Sequence, residues 1–163
     1  LTLALDYAPR VAGMILIGTG ARLRVHPTII EGIVREPEAT ARQIPTMSWS
    51  VKSPPAVRQQ MVRRLLAVSP TTLRDDFRAC NAFDVVDRVG SIHTPTLILV
   101  GAEDQMTPPK YSAFLAERIA GARMAVIPNA GHMVTLEQPD AVSSQIITWL
   151  NGLNLVDAGA AYP

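Results

Sequence analysis

The sequence predicts an α/β fold: a three-stranded parallel sheet flanked by helices, with a separate helical block inserted between its strands. Three observations predict it. First, two apolar runs, Thr96-Leu97-Ile98-Leu99-Val100-Gly101 and Arg123-Met124-Ala125-Val126-Ile127-Pro128, enclose a helical stretch at residues 107–120. A strand, a helix and a strand in that order form a right-handed crossover, which makes the two strands parallel members of one sheet. Second, residues 11–18 (Val-Ala-Gly-Met-Ile-Leu-Ile-Gly) are continuously apolar, as strands buried on both faces of a parallel sheet are. Third, residues 22–90 between them show helical periodicity and no strand pattern.

Composition bounds the answer. A chain of 163 residues can bury one real core, and 48% hydrophobic with 18% charged residues describes a globular protein. A net charge of +1 gives no case for nucleic acid or an anionic membrane surface. No run approaches the roughly 18 apolar residues of a membrane span. No basic region with a following cleavage site is visible, so a cytoplasmic protein is expected. The lone cysteine, Cys80, excludes an internal disulfide and, in a helical stretch, reads as a small buried apolar group. The histidines His26, His93 and His132 are dispersed, which implies neither a metal site nor a cofactor. The chain lacks an initiator Met and starts in mid-pattern, a first sign by which a fragment is expected.

In order, residues 1–8 read as the last turns of a helix that Pro9 ends. The 11–18 strand follows, then a Gly18-Thr19-Gly20 break. Four helices fit the block: residues 28–35, 37–44, 55–68 and 70–83. The third places Val57, Met61, Val62, Leu65 and Leu66 on one stripe, with Arg58, Arg63 and Arg64 as a solvated face opposite. Ser69 before Pro70 is a sensible N-cap and first-turn pair. After the two later strands, residues 137–153 form an amphipathic helix with Val142, Ile146, Trp149, Leu150 and Leu153 inward.

Loops that follow parallel strands emerge at one sheet edge, where ligands bind in open α/β folds. That edge receives Asp104, after the 96–101 strand, and His132, after the 123–128 strand. A buried carboxylate beside an imidazole is the orienting half of a nucleophilic triad. Glu103 is the neighbouring alternative for the acid, and a helix-capping turn is the plainer role for Asp104. A loop histidine bonded only to backbone is the plainer role for His132, while His26 and His93 read as structural or surface residues. Met47, Trp49, Met61 and Phe77 pack between helices by default, though Met or Trp also suits an adaptable pocket.

The 95–108 stretch, ending Gly101-Ala102-Glu103-Asp104-Gln105-Met106-Thr107-Pro108, resembles the strand and acid loop of the α/β-hydrolase fold family. Residues 127–139, containing Asn129-Ala130-Gly131-His132-Met133-Val134-Thr135-Leu136-Glu137, resemble its catalytic-histidine loop. Ala79-Cys80-Asn81-Ala82-Phe83-Asp84-Val85 resembles the end of the helical cap in esterase-, lipase- and enol-lactonase-like members, and residues 8–18 resemble the sixth strand with its lead-in. The resemblance spans about residues 1 to 152. It implies the C-terminal part of such a core over 1–21 and 91–153, a cap over 22–90 and a flexible tail over 154–163. It implies a Ser-Asp-His triad with Asp104 and His132 as two members, acting on a carboxylic ester, lactone or related small-molecule acyl substrate without a cofactor. Some relatives carry the acid after the sixth strand, but Thr19-Gly20-Ala21 holds no carboxylate. The Gly-x-Ser-x-Gly elbow of the family is absent here, so this chain alone is expected to be inactive. The expected partner is a missing N-terminal half, or another chain, pairing with the 14–18 strand (Met14-Ile15-Leu16-Ile17-Gly18). Dehalogenase-, epoxide-hydrolase-, perhydrolase- and acyltransferase-like relatives, or a non-catalytic binding domain, are the alternatives.

Overall fold

The computed structural model describes residues 1–153; the expected tail, 154–163, lies outside the described residues. The expected α/β fold is found. Strands β1 (Met14–Ile17), β2 (Thr96–Gly101) and β3 (Arg123–Ile127) form one parallel sheet in the order β1-β2-β3. Leu16 lies opposite Ile98, and Leu99 opposite Ala125. The central strand is buried along its whole length, which is why its sequence is an unbroken apolar run. One edge of β1 carries no strand among the described residues.

The chain begins with α1 (Thr2–Asp6). Between β1 and β2 run α2 (Pro27–Arg35), α3 (Pro37–Ser48), α4 (Pro55–Leu66) and α5 (Pro70–Ala82). After β2 come α6 (Pro109–Arg118), then β3, α7 (Val134–Glu137) and α8 (Pro139–Asn151). Proline opens α2 to α6 and α8; a missing N–H costs nothing in a first turn, where it would have no partner. Among the described residues, no helix is long and apolar enough to cross a membrane.

Side chains alternate across β2. Ile98 joins Leu16, Val89, Ile92, Leu115 and Ile119 on one face. Leu97 and Leu99 join Ile127, Val134, Val142 and Trp149 on the other. The helical block has its own small core, Ile29, Ile33 and Ile44, with Met61, Leu65, Leu73 and Phe77 packed against it. The block leaves and rejoins the sheet through a narrow neck. There Arg22 and Asp84 form an antiparallel bridge, and Leu23 and Val85 donate to Phe83 and Ala21.

Several boundaries differ from expectation for physical reasons. Residues 8–10 form a separate 3₁₀ turn, and the first strand starts at Met14, where its N–H finds the Pro95 carbonyl. Helix α3 runs through the buried Pro45 to Ser48. The last expected helix is split, because Pro139 opens α8 afresh after Gln138 leaves helical geometry. Ser69 stands at the N-cap of α5, but its hydroxyl meets that of Thr71 rather than a backbone N–H. Leu66 and Leu150 are exposed, so neither belongs to the core stripe it was assigned to. Cys80 is exposed as well: α5 contains no buried residue, and its position 80 opens towards a cavity. Arg58 does not belong to a solvated face with Arg63 and Arg64. Its guanidinium folds inward and donates to the Ser50 carbonyl at 2.6 Å.

Candidate active site

The site is built where β2 and β3 end side by side. Ala102 donates to the Ile127 carbonyl and Glu103 to that of Ala130, so the two loops touch backbone to backbone. Gly101 makes this approach possible: a Cβ there would lie 2.1 Å from the Gly131 carbonyl oxygen.

Asp104 and His132 are brought together. Asp104 is only 3% exposed, and its Oδ2 lies 2.9 Å from His132 Nδ1. The other oxygen, Oδ1, accepts the backbone N–H groups of Met106 (2.9 Å) and Thr107 (2.8 Å). Those two bonds close a turn ahead of the next helix rather than cap it, since α6 has Pro108 at its N-cap and no side-chain cap bond, while Oδ2 faces the imidazole. The following helix begins at Pro109, two residues later than its sequence pattern suggests. The Thr107 hydroxyl donates to Oδ2 at 2.9 Å and sits 3.2 Å from His132 Nδ1. Burial alone would push the Asp104 carboxyl up. The hydrogen bond from His132, the Thr107 N–H, the charge of His132 and the Thr107 hydroxyl outweigh it and hold the group below its ordinary 3.8. An ionised Asp104 fixes the imidazole with its Nδ1 proton directed at Oδ2. Nε2 is then the nitrogen available for proton exchange.

His132 lines a cavity of about 320 Å³ between the sheet edge and the helical block. Its walls include Leu23, Val25, Ile29, Met47 and Phe77 from the block and Met106 from the acid loop. A larger groove of about 670 Å³ beside Arg78 adjoins it, sharing Arg24, Val25 and His26, and does not include His132. Met47 and Phe77 therefore line the space above the imidazole. Trp49 and Met61 do not: Trp49 is buried and donates its indole N–H to the Met61 sulfur at 3.2 Å. His26 also borders the cavity, and its ring accepts the Thr28 N–H at the start of α2. His93 is exposed outside it. Glu103 turns away from His132 and accepts the Ser50 hydroxyl at 2.6 Å, so it is not the acid partner.

The hydrogen bonds of His132 among the described residues go to Asp104 and Thr107, not to a serine or cysteine. No group of three or more His, Cys, Asp or Glu among these residues could hold a metal ion. Thr107 and Glu137 were not singled out from sequence. For Thr107 a signal existed, since a threonine three residues after an aspartate is placed to close an Asx-type turn.

A sequence profile of the Alpha/beta hydrolase family matches residues 1–145. The chain belongs to the alpha/beta hydrolase family. Among solved structures it is similar to a thermophilic esterase, at 33% identity and a TM-score of 0.80, over 88% of this chain and 57% of that one. The enol-lactonase from Burkholderia xenovorans LB400 shares the fold with a TM-score of 0.84 at 23% identity, over 92% of this chain and 60% of that one. A curated relative, the pimeloyl-[acyl-carrier protein] methyl ester esterase of Neisseria meningitidis serogroup A, is 26% identical over 52% of this chain and 27% of its own length. The alpha/beta hydrolase chain described here thus covers less than two thirds of the length of each of these relatives.

Proposed function

We propose that this chain is the acid- and histidine-bearing part of a serine hydrolase that cleaves a carboxylic ester, lactone or related acyl bond. One observation supports the reading most: a buried, ionised Asp104 held 2.9 Å from His132 Nδ1, beneath an apolar cavity at the C-terminal edge of a parallel sheet. The family membership and the esterase relatives agree with it.

In this reading Asp104 orients the imidazole and stabilises its protonated form. His132 Nε2 takes the proton of a serine hydroxyl as the oxygen attacks the acyl carbon. The same proton then passes to the departing alkoxide, leaving an acyl-enzyme, and His132 next deprotonates the water that releases the acid. The serine belongs to a strand-to-helix elbow outside residues 1–153, and strands preceding it pair with the open edge of β1. Residues 22–90 act as the cap that roofs the site over a core of 1–21 and 91–153. The apolar residues above His132 receive the acyl group, and a small-molecule acyl compound is the substrate.

A fluorophosphonate probe tests this, since it reacts covalently with a serine activated by histidine. The protein carrying the preceding strands should be labelled at one serine, and His132→Ala should abolish the labelling. Labelling that is indifferent to His132, or stable modification of an aspartate by an alkyl halide or epoxide instead, would overturn the reading.

A further inference from the structure

Two carboxylates next to the Asp104–His132 pair do not face it. Both reach the same turn of the helical block, residues 50–53, Glu103 from the acid loop and Glu137 from the end of α7. Glu103, adjacent to Asp104, accepts the Ser50 hydroxyl at 2.6 Å and the Val51 N–H at 3.3 Å. Glu137, in the turn after His132, accepts the Ser50 N–H at 2.7 Å and the Ser53 hydroxyl at 2.6 Å through Oε1. Its other oxygen, Oε2, accepts the N–H of Gly131, the residue before His132, at 2.7 Å. Ser50 is 1% exposed, and Arg58 takes its carbonyl, so each of its polar groups is engaged. The backbones are also in contact. A Cβ on Gly131 would lie 2.8 Å from Ser50 N and 2.9 Å from the Ser48 carbonyl oxygen, and Met133 donates to that same carbonyl.

We propose that Glu103 and Glu137 are positioning residues that latch the 50–53 turn onto the acid and histidine loops, so that the seating of the helical block and the orientation of His132 are set together. Glu137 is the centre of the latch, because one carboxylate bridges the backbone beside His132 and the block. Only an acceptor on both oxygens serves there, since Ser50, Ser53 and Gly131 all donate. A glutamine would turn an N–H₂ towards one of those donors and lose the bridge. The consequence for turnover rests on the hydrolase reading above; the latch itself does not.

The test is amide hydrogen exchange on the whole chain, with the downfield proton resonance of His132 Nδ1 as a second readout. Glu137→Gln should speed exchange at Ser50 and Gly131 by about tenfold or more and broaden the His132 resonance. Amides of residues 97–100 in β2 should keep their rates. Glu103→Ala should speed exchange at Val51 alone, and Glu117→Gln, an exposed control on α6, should change neither region. Should Glu137→Gln fail to fold, Ser53→Ala decides: it removes one donor to the bridging carboxylate and should both speed exchange within 51–53 and broaden the His132 resonance. Unchanged rates at Ser50 and Gly131 in Glu137→Gln, unchanged rates in Ser53→Ala, or uniform acceleration that includes β2, would overturn the latch. Failure of the hydrolase reading shows separately, as fluorophosphonate labelling indifferent to His132→Ala.

Discussion

Strand β2 buries every one of its six residues, whereas α4 and α5 in the helical block bury none. The two regions meet at His132 but are held by different forces. The sheet is fixed by apolar contact on both faces, which leaves little freedom to move without exposing a core. The helical block rests on three buried isoleucines and on polar ties at two places: the neck at Arg22 and Asp84, and the 50–53 turn at Glu103 and Glu137. Regions with few buried apolar contacts open locally at low free-energy cost. The comparison therefore assigns the rigid part of the site to the sheet loops and the adjustable part to the roof.

Core truncation gives the largest contrast. Leu99→Ala should lower global stability by about 3 kcal/mol or more, because it opens a cavity in a packed sheet face. Leu65→Ala, half-buried in the block, should cost about 1 kcal/mol and speed exchange within residues 27–82 while β2 stays protected. Denaturant melts combined with site-resolved exchange measure both. Equal global effects would show that sheet and block unfold as one unit and would break the comparison.

A smaller effect comes from acid. The Asp104 carboxyl is lower in the folded chain than its ordinary 3.8. Its contribution to stability is therefore complete above that value and is lost as pH falls from 3.8 through the lowered folded value. Stability of the wild-type chain should decline over that range. The Asp104→Asn chain should decline less, with the difference confined to it. A difference appearing only near neutral pH would assign the titration to another group.

The fold was legible because β2 is buried along its whole length and so could only be apolar throughout, and β1 beside it is an apolar run as well. The meeting of Asp104 and His132 at one sheet edge was legible because each follows a strand of the parallel sheet, and the end of a parallel strand fixes where a loop emerges. What was not legible depended on long-range contact. Arg58, Arg63 and Arg64 look alike along a helix, yet only Arg58 meets a carbonyl from the preceding turn. Cys80 sits at helical spacing with Leu73 and Phe77, but periodicity does not say that the face opens on a cavity. From sequence Glu103 reads only as the alternative acid and Glu137 only as the start of a helix, since their partner Ser50 lies 53 and 87 positions away along the chain.

In the hydrolase reading proposed above, His132 and Asp104 serve a nucleophile carried outside the described residues. Hydrolysis of a short-chain aryl ester by residues 1–163 tests it most directly. The segment is measured beside its His132→Ala variant, first alone and then with the protein's preceding strands supplied in trans. Alone, both should show the same background rate. With the preceding strands present, the segment with His132 should exceed its variant by about a thousandfold. Robust turnover by the segment alone that disappears in His132→Ala would contradict the account, because it would place a working nucleophile within these residues.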